Sequence, residues 1–178
     1  MTAAQYPTLW LTGLSGAGKT SIALALAQAL KAQGHAATVL DGDQLRHGLN
    51  RDLGFSPQDR HENIRRTAEV ARLMNEAGLT VIAAFISPYR SDRAMAGAII
   101  GAERYIEVHV STPLAVCEAR DVKGLYAKAR GGQLAQFTGV SAPYEEPLDA
   151  ALTLDTQALA LEESVARICE YLQRRQRQ

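Results

Sequence analysis

One glycine-rich octapeptide constrains the fold more than any other feature of the chain. Gly13-Leu-Ser-Gly-Ala-Gly-Lys-Thr20 matches the pattern G-x-x-x-x-G-K-[ST], and it lies between an apolar run at 8–12 and an Ala/Leu-rich helical pattern at 21–31. In this setting the glycines let successive backbone N–H groups surround phosphate oxygens, and the following helix adds the positive end of its dipole. A glycine turn without a ligand is the alternative, but both flanks favour a phosphate-binding loop (P-loop).

The P-loop predicts a role for each of its residues. We expect Lys19 to reach the β- and γ-phosphates of ATP and Thr20 to place its hydroxyl on Mg²⁺. The remaining contacts with ATP are expected from Gly13, Leu14, Ser15, Gly16, Ala17 and Gly18. ATP as co-substrate and Mg²⁺ as metal follow from this motif.

Alternating strand and helix patterns place the loop in an α/β fold. Apolar runs at 8–12, 36–40, 79–86, 105–110 and 151–154 predict strands, and helical patterns at 21–31, 57–77, 93–100, after 113 and at 161–172 separate them. This order predicts a three-layer α/β/α fold of the P-loop NTPase type, with a mostly parallel sheet and ligands at its C-terminal edge. We expect the 178 residues to form one domain. Within 57–77, the spacing of Val70, Leu73, Met74 and Ala77 predicts the buried helix face.

Residues 122–147, called the lid below, have a different composition. They are rich in Gly and Pro and poor in large aliphatic residues, and they carry the cations Lys123, Lys128 and Arg130. We therefore expect a mobile lid over the site rather than a part of the core.

A P-loop alone is compatible with a GTPase, a motor-type ATPase or a small-molecule kinase. The sequence contains no N-K-x-D or T-K-x-D guanine-reading motif, and it is too short for the extra modules of a motor. The strand at 79–86 leads into Ser87 rather than into an acid, so Asp41 and Asp43 are the nearest acids at a strand end. We expect Asp43 to orient an acceptor hydroxyl or a Mg²⁺-bound water, which favours a kinase.

The charge balance points to a small anionic acceptor. Nineteen basic and nineteen acidic residues cancel, which argues against nucleic acid or an anionic membrane as partner. Fifteen of the cations are Arg, however, and eight of these lie in the lysine-free stretch 43–93. Because the Arg fork suits anionic oxygens, we expect Arg46, Arg60 and the neighbouring Asn63 to contact the acceptor. Arg72 is expected to form ion pairs along its own helix.

Two phenylalanines lie in predicted loops. Phe55 and Phe137 could clamp a planar base from both faces, or they could plug a small satellite core. Both alternatives stay open at this point.

The two cysteines and the N-terminal residues indicate the cellular compartment. Cys117 and Cys169 are far apart and form no C-x-x-C pair, so we expect reduced thiols. The first residues lack a basic n-region, and no apolar run approaches the roughly 20 residues of a spanning helix. The expectation is a cytoplasmic protein without a signal peptide.

Several longer segments, in order along residues 8–172, resemble the adenylyl-sulfate kinases. They are DGDQLRHGL at 41–49, DLGFS at 52–56, DRHENIRR at 59–66, FISPYR at 85–90, CEARDVKGLY at 117–126, FTG at 137–139 and PYE at 143–145. The resemblance implies transfer of the ATP γ-phosphoryl group to the 3′-hydroxyl of adenosine 5′-phosphosulfate (APS), which gives PAPS for sulfate assimilation. It also implies a homodimer, and it raises sulfate adenylyltransferase as a partner.

The same resemblance implies roles for individual residues. Arg120 would pack on the ATP adenine, and Phe55 and Phe137 would hold the APS adenine. Ser87 matches a serine described in the family as a phosphoserine intermediate. The residues that would hold APS are Asp43, Arg46, Phe55, Arg60, Asn63, Ile86, Ser87, Lys123, Leu125 and Phe137.

The residues themselves support a less specific conclusion. They indicate a Mg²⁺-dependent kinase of a small anionic acceptor, with Lys19, Asp43 and Ser87 in the catalytic site. A nucleotide or sugar-acid kinase, or a nucleotide-sensing module that transfers nothing, remain alternatives. A serine is a weak nucleophile without an activating base, and FISPYR contains no His or carboxylate, although Asp41 or Asp43 could approach it in space. We therefore expect direct transfer to the acceptor, with Ser87 contacting the ligand.

Overall fold

A parallel five-stranded sheet organises the computed structural model, which describes residues 6–177. The strands are β1 (Thr8–Thr12), β2 (Ala37–Asp41), β3 (Thr80–Ala84), β4 (Tyr105–Val110) and β5 (Leu152–Leu154), in the order β2-β3-β1-β4-β5. Every neighbouring pair is parallel. The predicted α/β fold with a parallel sheet is confirmed, and the P-loop, Asp41 and the segment after β3 all lie at its C-terminal edge.

The described part of the chain contains seven helices, six between strands and one after β5. They are α1 (Lys19–Ala32), α2 (Gly42–His47), α3 (Pro57–Glu76), α4 (Arg90–Ile100), α5 (Leu114–Arg120), α6 (Leu125–Arg130) and α7 (Leu161–Gln176). The sequence patterns did not predict α2 and α6, because a helix of six residues is too short to show a 3.6-residue period. Strand β3 also ends earlier than predicted. It stops at Ala84, and the next two residues, Phe85 and Ile86, lie in a loop.

The hydrophobic core lies on both faces of the sheet. On one face, Leu9 and Leu11 of β1 pack with residues of α1 and α7. On the other, Trp10 packs with residues of α3 and α4. This alternation follows from the two-residue period of a strand, and it produces the three layers.

The face of α3 that is buried differs from the predicted one. Leu73 is 55% exposed, whereas Ile64, Thr67 and Asn75 are buried. The polar residues can be buried because they are hydrogen-bonded: Thr67 Oγ1 donates to the Asn63 carbonyl (2.7 Å), and Asn75 Nδ2 donates to the Leu79 carbonyl (3.0 Å). The prediction is therefore wrong for Leu73 and Ala77, which are exposed, and holds only in part for Val70 and Met74, which are half-buried against this core. Apolar spacing alone does not detect a polar helix face with internal partners.

Part of the lid belongs to the core, which corrects the expectation for the whole segment. Tyr126 is 3% exposed, and its ring meets that of Phe137 edge-on at 5.0 Å between centroids. Thr138 is buried as well, while most of 130–136 is exposed. Two aromatic anchors thus hold the exposed part of the lid, and its mobility stays a prediction.

Two further observations concern the described residues as a whole. Cys117 and Cys169 are free thiols. No helix between residues 6 and 177 is long and apolar enough to cross a membrane.

Candidate active site

The P-loop approaches β4 and α5 so closely that two of its positions require glycine. Gly13 has φ +154°, and a Cβ there would lie 2.4 Å from the Val110 carbonyl oxygen. Gly16 has φ +75°, and its Cβ would lie 3.1 Å from the Cys117 carbonyl oxygen. Glycine relieves both constraints, so the loop can curl as the motif predicts.

Hydroxyl groups from distant elements hold the P-loop from outside. The Ala17 carbonyl accepts hydrogen bonds from Thr112 Oγ1 (3.0 Å) and Thr156 Oγ1 (2.9 Å). The Ser15 carbonyl accepts one from the Tyr126 hydroxyl of α6 (2.9 Å). Sequence reasoning missed these three residues, since isolated Thr and Tyr residues far along the chain give no signal.

Lys19 lies folded back along the P-loop. Its Nζ donates to the Gly13 carbonyl (2.8 Å) and to the Leu14 carbonyl (2.7 Å). Burial lowers the pKa of Lys19 to about 8. The ammonium group is thus poorly solvated, and the loop's own carbonyl oxygens hold it.

Thr20 contacts Asp41 rather than Asp43. Thr20 Oγ1 donates to Asp41 Oδ2 (2.8 Å), and Asp41 Oδ1 accepts from the backbone N–H of Asp43 (3.0 Å) and of Gln44 (3.3 Å). Asp41 thereby caps α2 and is only 7% exposed. A hydroxyl and a carboxylate side by side are oxygen ligands of the kind that Mg²⁺ prefers. Sequence reasoning named Asp41 only as one of two nearby acids.

Asp43 contacts the lid. Its carboxylate forms an ion pair with Lys123, and the two side chains are 64% and 54% exposed. Both residues were predicted in the acceptor site, and the structure brings them together.

Arg46, Phe55 and Arg60 form a second cluster beside α2 and α3, called the arginine cleft below. The Arg46 guanidinium carbon lies 4.3 Å from the Phe55 ring centroid, and Arg46 Nη1 donates to the Gly54 carbonyl (2.8 Å). Arg60 Nε donates to the Phe55 carbonyl (3.0 Å), and Arg60 Nη2 donates to the Gln136 carbonyl of the lid (2.9 Å). Burial first, then repulsion from Arg60, lowers the pKa of Arg46, and burial lowers that of Arg60. Two partly desolvated cations favour an anionic ligand here.

The predicted acceptor residues other than the two arginines lie in different settings. Phe55 is 58% exposed, whereas Phe137 is half-buried against the core. Asn63 is buried and accepts from Asn50 Nδ2 (2.9 Å). Leu125 begins α6, and the Ile86 carbonyl accepts from Thr12 Oγ1 (2.7 Å).

Ser87 occupies a strained, buried turn after β3. It is 3% exposed and has φ +39°. Ser87 Oγ accepts a hydrogen bond from Trp10 Nε1 (3.1 Å). Within residues 6–177 no carboxylate or imidazole hydrogen-bonds to this hydroxyl, so no base is placed to activate it.

Arg93, which the sequence showed only as one of many arginines, connects the Ser87 turn to the end of the lid. It is 2% exposed and pairs with Glu107 on β4. Its Nη1 donates to the Ser87 carbonyl (2.7 Å), and its Nη2 donates to the Glu145 carbonyl (2.7 Å). The C-terminal end of the lid is therefore fixed to the segment that follows β3.

Arg120 is held in a defined plane beside the P-loop. Its Nη1 donates to Thr156 Oγ1 (2.8 Å), and its Nη2 donates to the Thr156 carbonyl (2.9 Å). The exposed guanidinium can thus serve as a flat surface for a purine ring.

A parallel sheet of this order, a P-loop after β1 and an arginine cleft under a lid define a P-loop kinase. Residues 5–155 match the adenylylsulphate kinase family, and the chain belongs to this family.

Similar proteins agree with this assignment. An adenylyl-sulfate kinase of Shewanella amazonensis is 55% identical over 164 residues, which cover 92% of this chain and 83% of that protein. One of Phocaeicola vulgatus is 57% identical over 162 residues, which cover 91% and 79%. The structure of the Mycobacterium tuberculosis APS kinase in complex with AMPPNP and APS superposes with a TM-score of 0.92 at 44% identity, covering 95% of this chain and 98% of that one.

Proposed function

We propose that the chain is an ATP-dependent adenylyl-sulfate kinase. It transfers the γ-phosphoryl group of ATP to the 3′-hydroxyl of APS, which yields ADP and PAPS for sulfate assimilation. The observation that carries the proposal is the arginine cleft at the same sheet edge as Lys19, in a chain whose relatives at 55% and 57% identity are named adenylyl-sulfate kinases.

ATP binds along the P-loop. The backbone from Gly13 to Thr20 surrounds its phosphates, and Lys19 turns from the Gly13 and Leu14 carbonyls to the β- and γ-phosphates. The adenine stacks on Arg120, which Thr156 holds in place.

APS binds in the arginine cleft. Arg46 and Arg60 contact its anionic groups, and Phe55 packs on its adenine from the exposed side. The other contacts come from Asp43, Asn63, Ile86, Ser87, Lys123, Leu125 and Phe137. Because Phe137 is anchored on Tyr126, the second face of the adenine is covered when the lid is closed.

The paired oxygens of Thr20 and Asp41 fit Mg²⁺. Their 2.8 Å contact at the start of α1 supplies one neutral and one anionic oxygen. When bound, Mg²⁺ supplies neutralisation of the charge on the transferring phosphoryl group.

Positioning and charge stabilisation by the chain's own residues account for the transfer. Asp43 orients the acceptor hydroxyl, and Lys19 stabilises the charge on the phosphoryl oxygens. The Ser87 turn, fixed by Arg93, contacts APS. The 3′-oxygen bonds directly to the γ-phosphorus as the bond to the β–γ bridging oxygen breaks; ADP leaves, and the 3′-hydroxyl proton is released to solvent.

A coupled ADP-release assay tests the function. Purified protein is supplied with ATP, Mg²⁺ and one acceptor at a time: APS, AMP, a nucleoside or gluconate. We expect turnover with APS and little with AMP, which lacks the sulfate. Turnover with gluconate alone would indicate a sugar-acid kinase, and ligand binding without turnover a sensing module.

We further propose a cytoplasmic homodimer. The family resemblance supports the dimer, and the free thiols Cys117 and Cys169 suit a reducing compartment. Sedimentation equilibrium of the purified chain measures the oligomeric state, and pull-down with sulfate adenylyltransferase tests that enzyme as a partner.

A further inference from the structure

A second asparagine lies behind the predicted acceptor residue Asn63. Asn50, in the loop between α2 and α3, is completely buried, and its backbone N–H donates to the Leu45 carbonyl (2.8 Å). Its side-chain Nδ2 donates to Asn63 Oδ1 (2.9 Å). Among residues 6–177 no group donates to Asn50 Oδ1, so this amide makes its only side-chain hydrogen bond to Asn63.

This contact determines which atom of Asn63 remains free. An amide side chain carries one oxygen acceptor and one NH₂ donor, and Asn50 engages the oxygen. Within the described chain Asn63 Nδ2 has no acceptor, and it is not among the polar atoms sealed from solvent without a partner. Asn63 lies one helical turn after Arg60 on α3. Its NH₂ group is therefore a free donor on the helix face that also carries Arg60 of the arginine cleft.

We propose that Asn50 is a positioning residue for the acceptor site. It orients the Asn63 amide so that the NH₂ group, rather than the oxygen, faces the oxygen and nitrogen acceptors of the bound nucleotide. This inference rests on the proposed function, in which Asn63 contacts APS.

A packing role does not explain the amide of Asn50. Its buried, unpartnered Oδ1 carries an energetic penalty that an apolar side chain of similar size would avoid. The amide is thus accounted for by the bond that it donates.

Two variants separate positioning from packing. In Asn50→Asp, the introduced carboxylate can only accept, so the Asn63 amide turns its NH₂ group toward it and presents its oxygen to APS. We expect the KM for APS to rise by at least about 10-fold, with the KM for ATP unchanged. In Asn50→Ala, the Asn63 amide is free to follow the ligand, and we expect a change in the KM for APS of less than about 3-fold.

Lowering the pH rescues the aspartate variant if the inference is correct. A protonated carboxyl group donates one hydrogen bond and can replace Asn50 Nδ2, and burial raises the pKa of a carboxyl group. The ratio of the KM for APS between Asn50→Asp and wild type should fall toward one as the pH goes from about 8 to about 5.5. Asn75→Asp is the matched control, because Asn75 is a buried asparagine of α3 whose partners are Thr8, Pro7 and Leu79. The KM for APS of Asn75→Asp should equal the wild-type value across this pH range.

Equal KM values for APS in Asn50→Asp and Asn50→Ala, or a ratio that does not change with pH, would overturn the inference. If Asn50→Asp fails to fold, NMR of the wild type decides. The Asn63 side-chain NH₂ resonance, assigned by its loss in Asn63→Asp, must shift when APS is added to the AMPPNP complex, and an unshifted resonance refutes the role. A wild type that does not phosphorylate APS would instead refute the proposed function.

Discussion

At the scale of single residues, burial disfavours the positive charge of Lys19, although phosphoryl transfer requires that charge. Burial lowers its pKa to about 8, so the free protein loses this proton as the pH rises through that value. Bound phosphates favour the charged form, and binding therefore takes up a proton above pH 8. We expect the affinity for AMPPNP, measured by calorimetry, to fall by up to about tenfold per pH unit above pH 8 and to be constant below it.

Lys19→Ala provides the control for this pH dependence. It should bind AMPPNP weakly at every pH without the break near pH 8, and phosphoryl transfer should fall by at least ~10²-fold. A wild-type affinity that is constant through this range would contradict the role of Lys19.

The two acids at the end of β2 are predicted to have different roles. Asp41→Asn weakens the oxygen pair with Thr20, so we expect a higher Mg²⁺ concentration for half-maximal activity. Asp43→Asn should lower kcat with little change in ATP affinity, because exposed Asp43 lies on the acceptor side. Titration of both variants with Mg²⁺ and ATP distinguishes these effects. A Mg²⁺ effect in Asp43→Asn together with a kcat effect alone in Asp41→Asn would reverse the two roles.

Ser87 tests the route of transfer. Ser87→Ala leaves the buried Trp10 N–H without an acceptor, which should cost about 1–3 kcal/mol of unfolding free energy. A loss of about 10-fold in kcat is expected from one missing hydrogen bond. With chirally labelled γ-phosphate, direct transfer inverts the configuration at phosphorus. Retention of configuration together with an inactive alanine variant would make Ser87 a covalent carrier.

What the sequence predicts at this scale depends on whether partners are close along the chain. The P-loop contacts are predictable because one octapeptide contains them. The Thr20–Asp41 contact spans 21 residues, and the Arg93–Glu145 contact spans 52. Such pairs form only after parallel strands align their C-terminal ends, so composition and periodicity do not reveal them.

At the scale of elements, long periodic segments are predictable and short ones are not. The strands and α3 follow from hydrophobic patterns, whereas α2 depends on a single side chain, Asp41, that caps it. The burial of Tyr126 was also not predictable, because it lies in a segment whose composition indicates an exposed loop. For Phe137 the sequence left a base clamp and a satellite core open, and its half-buried ring packs against the core.

The lid offers a direct test at this scale. Its exposed lysines and arginine, Lys123, Lys128 and Arg130, are trypsin sites, and Tyr126 and Phe137 anchor the segment between its ends. We expect trypsin to cut first at these sites in the free protein, and AMPPNP with APS to slow this cleavage. Mass spectrometry of the first fragments measures it. Equal cleavage with and without both ligands would contradict a moving lid.

At the scale of the whole molecule, the lid contacts both halves of the proposed site. On the nucleotide side, Tyr126 bonds the Ser15 carbonyl of the P-loop. On the acceptor side, Lys123 pairs with Asp43, and Arg60 bonds the Gln136 carbonyl. Closure over ATP therefore depends on groups that also hold APS, which would limit transfer of the phosphoryl group to water.

This arrangement predicts that breaking the lid's acceptor-side contact uncouples ATP consumption from product formation. Lys123→Met removes the ion pair with Asp43 but leaves the Tyr126 contact with the P-loop, so AMPPNP affinity should be unchanged. We expect the amount of ADP released per PAPS formed, measured in parallel by enzyme coupling and chromatography, to rise above the wild-type value. Lys31→Met, at the far end of α1, should behave as wild type. If Lys123→Met only raises the KM for APS while ADP and PAPS still form in equal amounts, then Lys123 binds the acceptor without controlling closure, and water exclusion depends on the Arg60–Gln136 contact instead.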